Sequence, residues 1–543
     1  MERKSFKNNG KYLHIPMHDA LPKEFNYIRI YDGDELVKEF HMGIAMPESG
    51  RNCDFYSALY IGGFKSDTVT LECDEDVPSG LFDGIIAGDE PEKEPELYPN
   101  LYNEPFRQKF HFSPRRGWLN DPNGLFYKDG VFNMYYQHNP LSSRHGGVNV
   151  SWGHATTEDG VHFKEHHVAI TPRNSRCHIA SGSAVVDADN IAKKGNGAVL
   201  AAYTALQSLQ FNDRPPVTQA DGQILMYSTD NGMNFEYFEN YPIIPVPDNE
   251  YWRDPKILIV DGKLCLIVYE QHDGKNVASF YTSDDGQKWE CVSRSDNLYE
   301  CPDLFEIKVT DSDEKLWVLY GGNGRYSVGK FENFVFTAIE DGCYLDYGET
   351  VYAGQTFNNH PSEDKRYHIA WSQENGEYCS GITVGYSYIF GKPFAQAMSL
   401  MCELTLHKTH AGYRLFRKPH ENIKKLRNQT ENTQILNAMH LDSPAEYEFT
   451  MPIDKDFELY VGGCGFRYDC KTRKISSTGE REYVLTSDEI KIRMFVDTRS
   501  VEMFISDEIS LTFFVAEENR TTEFKGISYI ESVKHTLSSI WEK

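Results

Sequence analysis

Ser228-Thr229-Asp230-Asn231-Gly232-Met233-Asn234-Phe235 is a turn sequence with two further copies in the chain, Thr156-Thr157-Glu158-Asp159-Gly160-Val161-His162-Phe163 and Thr282-Ser283-Asp284-Asp285-Gly286-Gln287-Lys288-Trp289. All three read hydroxyl, any, acid, any, Gly, any, any, aromatic. The hydroxyl and the acid can bond backbone groups of the turn, Gly supplies a positive φ, and the aromatic pins the hairpin to its sheet. Strand-like runs such as Gln223 to Tyr227 and Leu264 to Tyr269 adjoin the copies. Repeats of roughly 50 to 70 residues built from hairpins, with few helical patterns, predict the blades of a β-propeller.

Working outward, the repeat region is bounded as a domain of residues 106–418. Residues 1–90 alternate short apolar runs with turns, and predict a small all-β domain with hairpin or bulge turns at Asp32-Gly33 and Gly62-Gly63. Residues 91–105 carry prolines and like charges, as in Pro91-Glu92-Lys93-Glu94-Pro95-Glu96, and predict an extended, solvated linker. After Lys418, Pro419 to Arg427 reads as a short helical patch. The remainder, within a last domain of 419–543, predicts a β-sandwich of about 115 residues.

Composition narrows the function. The chain has 543 residues and a net charge of -26, from 55 basic and 81 acidic side chains. That field repels nucleic acid and anionic membrane surfaces, so neither is expected as a partner. No apolar run approaches the ~20 residues that span a bilayer. The N-terminus, Met1 to Lys7, is charged with no apolar stretch behind it, so no secretory signal is visible. Eleven scattered cysteines without a C-x-x-C pair fit reduced thiols in the cytoplasm. On that reading the Asn-x-Ser/Thr triplets at Asn149, Asn428 and Asn519 are chance matches. No cluster of His, Cys and Asp has metal-ligand spacing, so neither metal nor cofactor is expected.

Three acids share one kind of setting. Trp118-Leu119-Asn120-Asp121-Pro122-Asn123-Gly124 is rich in turn formers and predicts Asp121 on a tight bend at a strand end, either as a positioned chemical group or as an Asx-turn acid. Asp254, in Tyr251-Trp252-Arg253-Asp254-Pro255-Lys256, precedes the strand Ile257 to Val260. Glu300, in Tyr299-Glu300-Cys301-Pro302-Asp303-Leu304-Phe305, lies between a polar loop and another apolar run. Strand ends of successive blades converge on a propeller's channel, so three blades can aim three acids at one point. Two carboxyl groups flanking a glycosidic bond are the minimum equipment for its hydrolysis, and one must hold a proton near neutral pH.

These motifs resemble those of glycoside hydrolase family 32, the invertases, inulinases and levanases. Besides the three acid motifs, the resemblance is carried by Tyr136-Gln137-His138-Asn139-Pro140, Trp152-Gly153-His154-Ala155, Ser181-Gly182-Ser183-Ala184 and Asp346-Tyr347-Gly348. It continues through Tyr352-Ala353-Gly354-Gln355-Thr356-Phe357 and Val496-Asp497-Thr498-Arg499-Ser500-Val501-Glu502-Met503-Phe504. It runs from Phe110 to the C-terminus and implies a five-bladed β-propeller followed by a β-sandwich. The N-terminal β domain is an addition to that plan.

The resemblance implies a retaining exo-β-fructosidase acting on fructans, fructo-oligosaccharides or sucrose. Asp121 would be the nucleophile, Glu300 the acid/base and Asp254 the transition-state stabiliser, with the nucleophile and acid ~5 Å apart. Fructosyl transfer and a non-catalytic fructan-binding role are the alternatives. Asn120, Gln137, Ser181 and Trp371 match positions that touch the terminal fructose; turn amides, a strand hydroxyl and a core tryptophan are the bland readings. Arg253 either holds Asp254 ionised or forms a structural ion pair, and Asp346 either reaches the leaving-group side or is a turn aspartate. Cys301 either tunes Glu300 or is an inert thiol, and Glu502 reads as structural. Two family aromatics are missing, at Ile179-Ala180-Ser181 and in Arg144 to Val150, so the pocket wall is altered. A homo-oligomer formed through the N-terminal domain is a further expectation.

Overall fold

In the computed structural model, which describes residues 1–18, 25–91, 93, 101–104, 106–145, 149–172, 177–207, 222–239, 241–245, 252–374 and 393–541, each repeated turn joins the third strand of a sheet to its outermost strand. Thr157, Ser228 and Ser283 each accept a hydrogen bond at 2.9 Å from the turn glycine, Gly160, Gly232 or Gly286. Asp159, Asp230 and Asp285 accept from backbone N–H groups further on. In the first and third copies the working hydroxyl and acid therefore sit one residue later than the pattern predicts. Gly232 (φ 84) is doubly constrained, because a Cβ there would fall 2.1 Å from the Tyr135 hydroxyl.

The chain is all-β, and five sheets follow one another from Gly117 to Pro419. Their first strands are Gly117–Lys128, Cys177–Asp187, Trp252–Val260, Asp303–Lys308 and Val351–Thr356. The first packs on the second, the second on the third, the fourth on the fifth, and the fifth back on the first. This ring is a β-propeller. It is fastened where Phe394–Ala395 pairs in parallel with Gly117 and Trp118, and Gly117 N–H donates to Pro393 O at 2.7 Å.

Four of these five inner strands lose register in the same way. The irregularities lie between Leu119 and Pro122, Ile179 and Gly182, Arg253 and Lys256, and Tyr352 and Gln355. A bulge takes its extra residues off the ladder and re-aims their side chains. The bend predicted at Asp121 is therefore corrected: Trp118 to Gly124 runs inside a strand, and its turn formers serve the bulge. Asp254 likewise lies within the strand that begins at Trp252, whereas Glu300 precedes its strand as expected. Beneath the bulges Lys256 Nζ meets Asp303 Oδ1 at 2.7 Å with both side chains fully buried, and Asp303 Oδ2 accepts Thr356 N–H at 2.7 Å.

Residues before the propeller form a four-stranded and a three-stranded sheet around a core that includes Leu13, Ile28, Phe40, Phe55 and Leu71. Asp32-Gly33 turns a hairpin between Asn26–Asp32 and Glu35–Met42. Gly62-Gly63 does not, because the strands on either side of it belong to different sheets. Of the expected linker, residues 92, 94–100 and 105 lie outside the described residues. Its end is packed rather than solvated: Tyr102 stacks on Trp541 at 4.4 Å, and buried Glu104 accepts from Arg107 and Arg116 at 3.0 and 2.8 Å.

After a single 3-10 turn at Glu421–Leu426, six-stranded and five-stranded sheets form the sandwich around Tyr447, Leu459, Met494 and Leu511. It is bolted to the propeller by His111, whose Nδ1 lies 2.8 Å from Asp497 and Nε2 2.9 Å from Glu502, all fully buried. Burial opposes the imidazolium, but hydrogen bonds to Asp497 and Glu502 outweigh it and push His111 up to about 9. The stabilisation is then complete below the free imidazole value of ~6.5 and is lost as pH rises through about 9. Melting temperatures measured from pH 6 to 10 are expected to show H111Q well below the unaltered protein at pH 6, with the gap narrowing to near zero by pH 10. A gap independent of pH would remove the charge from the explanation.

Candidate active site

Asp121 stands at the first bulge with three donors on its carboxylate. Ser181 Oγ donates to Oδ2 at 2.6 Å, Asn120 Nδ2 to Oδ1 at 3.1 Å, and Cys301 Sγ to Oδ2 at 3.6 Å. Asn120 is itself held by Trp118 Nε1 at 2.8 Å. Burial raises the Asp121 carboxyl above the usual range, the bonds from Ser181 and Asn120 pull it down, and the charge of Glu300 raises it again. Gln137 Nε2 reaches Ser181 Oγ at 3.3 Å, and its buried Oε1 has no hydrogen-bond partner among the described residues.

Asp254 and Glu300 share Arg253. Its Nε lies 3.6 Å from Asp254 Oδ2, and its Nη2 donates to Glu300 Oε1 in a short contact. Tyr352, from the fifth inner strand's bulge, donates its hydroxyl to Glu300 Oε2. Asp254 has φ 61, and Glu300 and Cys301 have φ 50 and 40, a run of left-handed residues that marks backbone held for something other than stability. Burial pushes Asp254 up to about 7; Arg253 opposes this, while Glu300 and Asp121 reinforce it. Asp254 and Glu300 raise Arg253 against its own burial. Burial and the charges around it thus keep a proton on Asp254 to near neutrality.

Of the residues singled out from sequence, Asp121, Asp254, Glu300, Asn120, Gln137, Ser181 and Arg253 are thus joined in one cluster. Trp371 lines the same region, its ring 6.2 Å from Trp118 and 6.5 Å from Tyr352, with Nε1 donating to Gln396 at 3.1 Å. Asp346 is placed elsewhere. It is buried against the sandwich, where it accepts from Arg417 at 2.9 Å, Ser510 at 2.7 Å and Thr512 at 2.8 Å, so its leaving-group reading is corrected to an interdomain anchor. Glu502 is structural, as expected. Tyr352 was not singled out, although Ala353-Gly354 after it carries the small-residue signal of a bulge. Among the described residues no group of three His, Cys, Asp or Glu side chains is placed to hold a metal ion.

A five-sheet ring that gathers three acids, an arginine and a tyrosine at its centre has the makings of a glycoside-cleaving site. The family description "Glycosyl hydrolases family 32 N-terminal domain" matches residues 111–419. The chain belongs to glycosyl hydrolase family 32. It is 30% identical over 365 residues to an extracellular exo-inulinase of Aspergillus niger, covering 59% of this chain and 65% of that one. It is 28% identical over 463 residues to a levanase of Bacillus subtilis, covering 75% and 65%. An invertase of Wickerhamomyces anomalus is 30% identical over 414 residues, covering 68% and 70%. The chain thus spans about 65% of the length of the first two relatives. Among solved structures, the exo-inulinase of Aspergillus awamori superposes with a TM-score of 0.66 at 23% identity, over 81% of this chain and 100% of that one. Fructan 1-exohydrolase IIa of Cichorium intybus gives 0.63 at 18%, over 80% and 98%. Both support the propeller-plus-sandwich fold.

Proposed function

We propose that this protein is a retaining exo-β-fructosidase that removes terminal β-fructofuranosyl units from fructans, fructo-oligosaccharides or sucrose. The observation that carries the reading is the convergence of Asp121, Asp254 and Glu300 around Arg253 and Tyr352. Asp121 attacks the anomeric carbon C2 while Glu300 gives its proton to the leaving oxygen. Water, deprotonated by Glu300, then attacks C2 and frees Asp121, so two inversions retain configuration. Asp254 holds ring hydroxyls through the transition state, and the open Gln137 Oε1 offers an acceptor to another. The inulinase, levanase and invertase among the relatives support this substrate class. Nine of the eleven cysteines are placed as free thiols, which supports a reducing compartment as the place of work.

Product analysis after incubation with sucrose, inulin and levan tests the reading, with Asp121→Ala as control. Free fructose that disappears in the variant is the expected result. Fructans that lengthen would mean transfer, and absence of turnover on all three would favour a binding role. The proton that Asp254 keeps also sets a pH profile. Above about 7, kcat/KM is expected to fall roughly tenfold per pH unit as the proton is lost. Arg253 pulls that titration down, so Arg253→Gln should move the alkaline limb upward by about one pH unit, in addition to slowing the reaction. An alkaline limb that stays in place or moves down would dissociate Arg253 from the proton.

A further inference from the structure

Glu300 and Cys301 keep their left-handed backbone only while their surroundings impose it. A backbone group that does so is Gly322, in the turn Gly321-Gly322-Asn323-Gly324 between the strands Lys315–Tyr320 and Arg325–Glu332. Its N–H forks to Tyr299 O at 2.9 Å and Glu300 O at 2.8 Å, and its carbonyl accepts Ala353 N–H at 2.7 Å. Ala353 (φ 51) follows Tyr352, the residue whose hydroxyl bonds Glu300. One glycine thus fixes the acid through its own backbone and through the backbone beside the tyrosine that holds it. The fit is close, since a Cβ on Gly322 would lie 3.3 Å from Cys301 Cβ and 3.4 Å from Glu300 O.

The turn is held in part from another domain. Within it, Gly321 N–H donates to Arg325 O at 2.9 Å and Asn323 Oδ1 accepts Arg325 N–H at 3.1 Å. Its outer side meets the sandwich hairpin of strands Lys474–Ser477 and Glu482–Val484. Arg481 of that hairpin donates from Nη2 to Asn323 O at 3.1 Å and from Nη1 to Asp346 O at 2.5 Å. Its guanidinium lies over the Tyr344 ring, 4.5 Å from the centroid, and Tyr344 pairs with Arg325 in the ladder. The hairpin is pressed against the propeller here, because a Cβ on Gly479 would fall 2.6 Å from Gly348 O. A planar guanidinium serves two carbonyls and a ring face at once, a geometry that a flexible ammonium does not reproduce. A turn with three glycines has little stiffness of its own, so such an outside grip decides where Gly322 stands.

We propose that Arg481 is a positioning residue for Glu300, through which the sandwich takes part in proton delivery to the leaving group. By fixing Asn323 it keeps Gly322 where that glycine imposes the backbone of Glu300 and brings Tyr352 to its carboxylate. Without the grip the turn shifts on its glycines and Glu300 loses its aim at the leaving oxygen. Asp121 and Asp254, carried on other strands, keep theirs. The inference rests on the proposed fructosidase reading and extends it to a domain outside the matched residues 111–419.

The test compares kcat/KM for sucrose, whose leaving oxygen needs a proton, with that for 4-nitrophenyl β-fructofuranoside, whose leaving phenolate does not. Both are read on one preparation, so a loss of folded protein cancels in their ratio. Arg481→Ala is expected to lower the ratio of sucrose to nitrophenyl fructoside about tenfold, the worth of one lost hydrogen bond, chiefly through kcat. Arg481→Lys, which keeps a donor for one carbonyl, should recover part of it. Lys474→Ala, in the exposed pair with Glu482 at 3.0 Å on the same hairpin, should leave the ratio unchanged. Glu300→Ala is the reference and should show the same signature enlarged. With that signature present in Glu300→Ala, an unchanged ratio in Arg481→Ala, or an equal fall in Lys474→Ala, overturns the inference. A Glu300→Ala variant that loses both substrates equally overturns instead the acid/base reading beneath it.

Discussion

Asp121→Asn is expected to lower kcat/KM on any fructoside by about 10⁴-fold or more, while the melting temperature at pH 7 to 8 stays level or rises. The first half follows from the chemistry proposed for this position. An amide oxygen is too weak a nucleophile to form the glycosyl ester, and no other carboxylate shares the same donors from Ser181, Asn120 and Cys301. The second half follows from the direction of the titration. Burial raises the folded carboxyl above its unfolded value, so the contribution to stability is greatest below that unfolded value and is lost as pH rises through the folded one. A neutral amide escapes that loss, and its oxygen can still accept from Ser181. Activity within tenfold of the unaltered enzyme would remove Asp121 from the nucleophile's role. Intact activity loss with a collapsed melting temperature would instead assign it to the fold.

The second large effect concerns a residue that never meets substrate. Lys256→Met is expected to cost about 3–5 kcal/mol, because it leaves Asp303 in the interior without its ion-pair partner. Lys256 and Asp303 are both fully buried, and Asp303 also fixes Thr356 N–H. One ion pair thus spans the third, fourth and fifth inner strands, directly below the bulges that carry Asp254 and Tyr352. Denaturant titration should show the midpoint falling accordingly. The double variant Lys256→Met with Asp303→Leu should recover part of the loss, since two apolar groups need no pairing. The exposed pair Lys275–Asp296, at 2.8 Å, provides the contrast: Lys275→Ala there should leave the midpoint where it was. Equal losses at the two pairs would mean that burial is not what decides the difference.

The strand-rich domains and the three acids were legible in the sequence because each rests on local pattern. Turn glycines, alternating apolar residues and a Pro within two residues of each acid are read within a few positions. What escaped was whatever depends on contact between distant residues. Pro122, Asn123 and Gly124 look like a turn in isolation, and only pairing with Tyr135 and Tyr136 shows them to be a bulged strand. Asp346 sits in a matching motif, yet Ser510 and Thr512 claim it from across the domain boundary, with Arg417 of the propeller beside them. Tyr352 joins Glu300 through a strand far along the chain, and nothing near it announces an acid. The grip of Arg481 on the Asn323 carbonyl uses a backbone group, a contact with no signature in residue type.

The fastening of the ring has a consequence in time. A ribosome delivers the strand bearing Asp121 early, but the segment that grips its start, Pro393 to Ala395, arrives only after the second, third and fourth sheets and the first two strands of the fifth have been made. A nascent chain short of that point holds every one of the three acids and lacks the closure that sets the first strand. Turnover therefore reports that synthesis has passed the clasp, and a truncated product released before it would be silent rather than partly active.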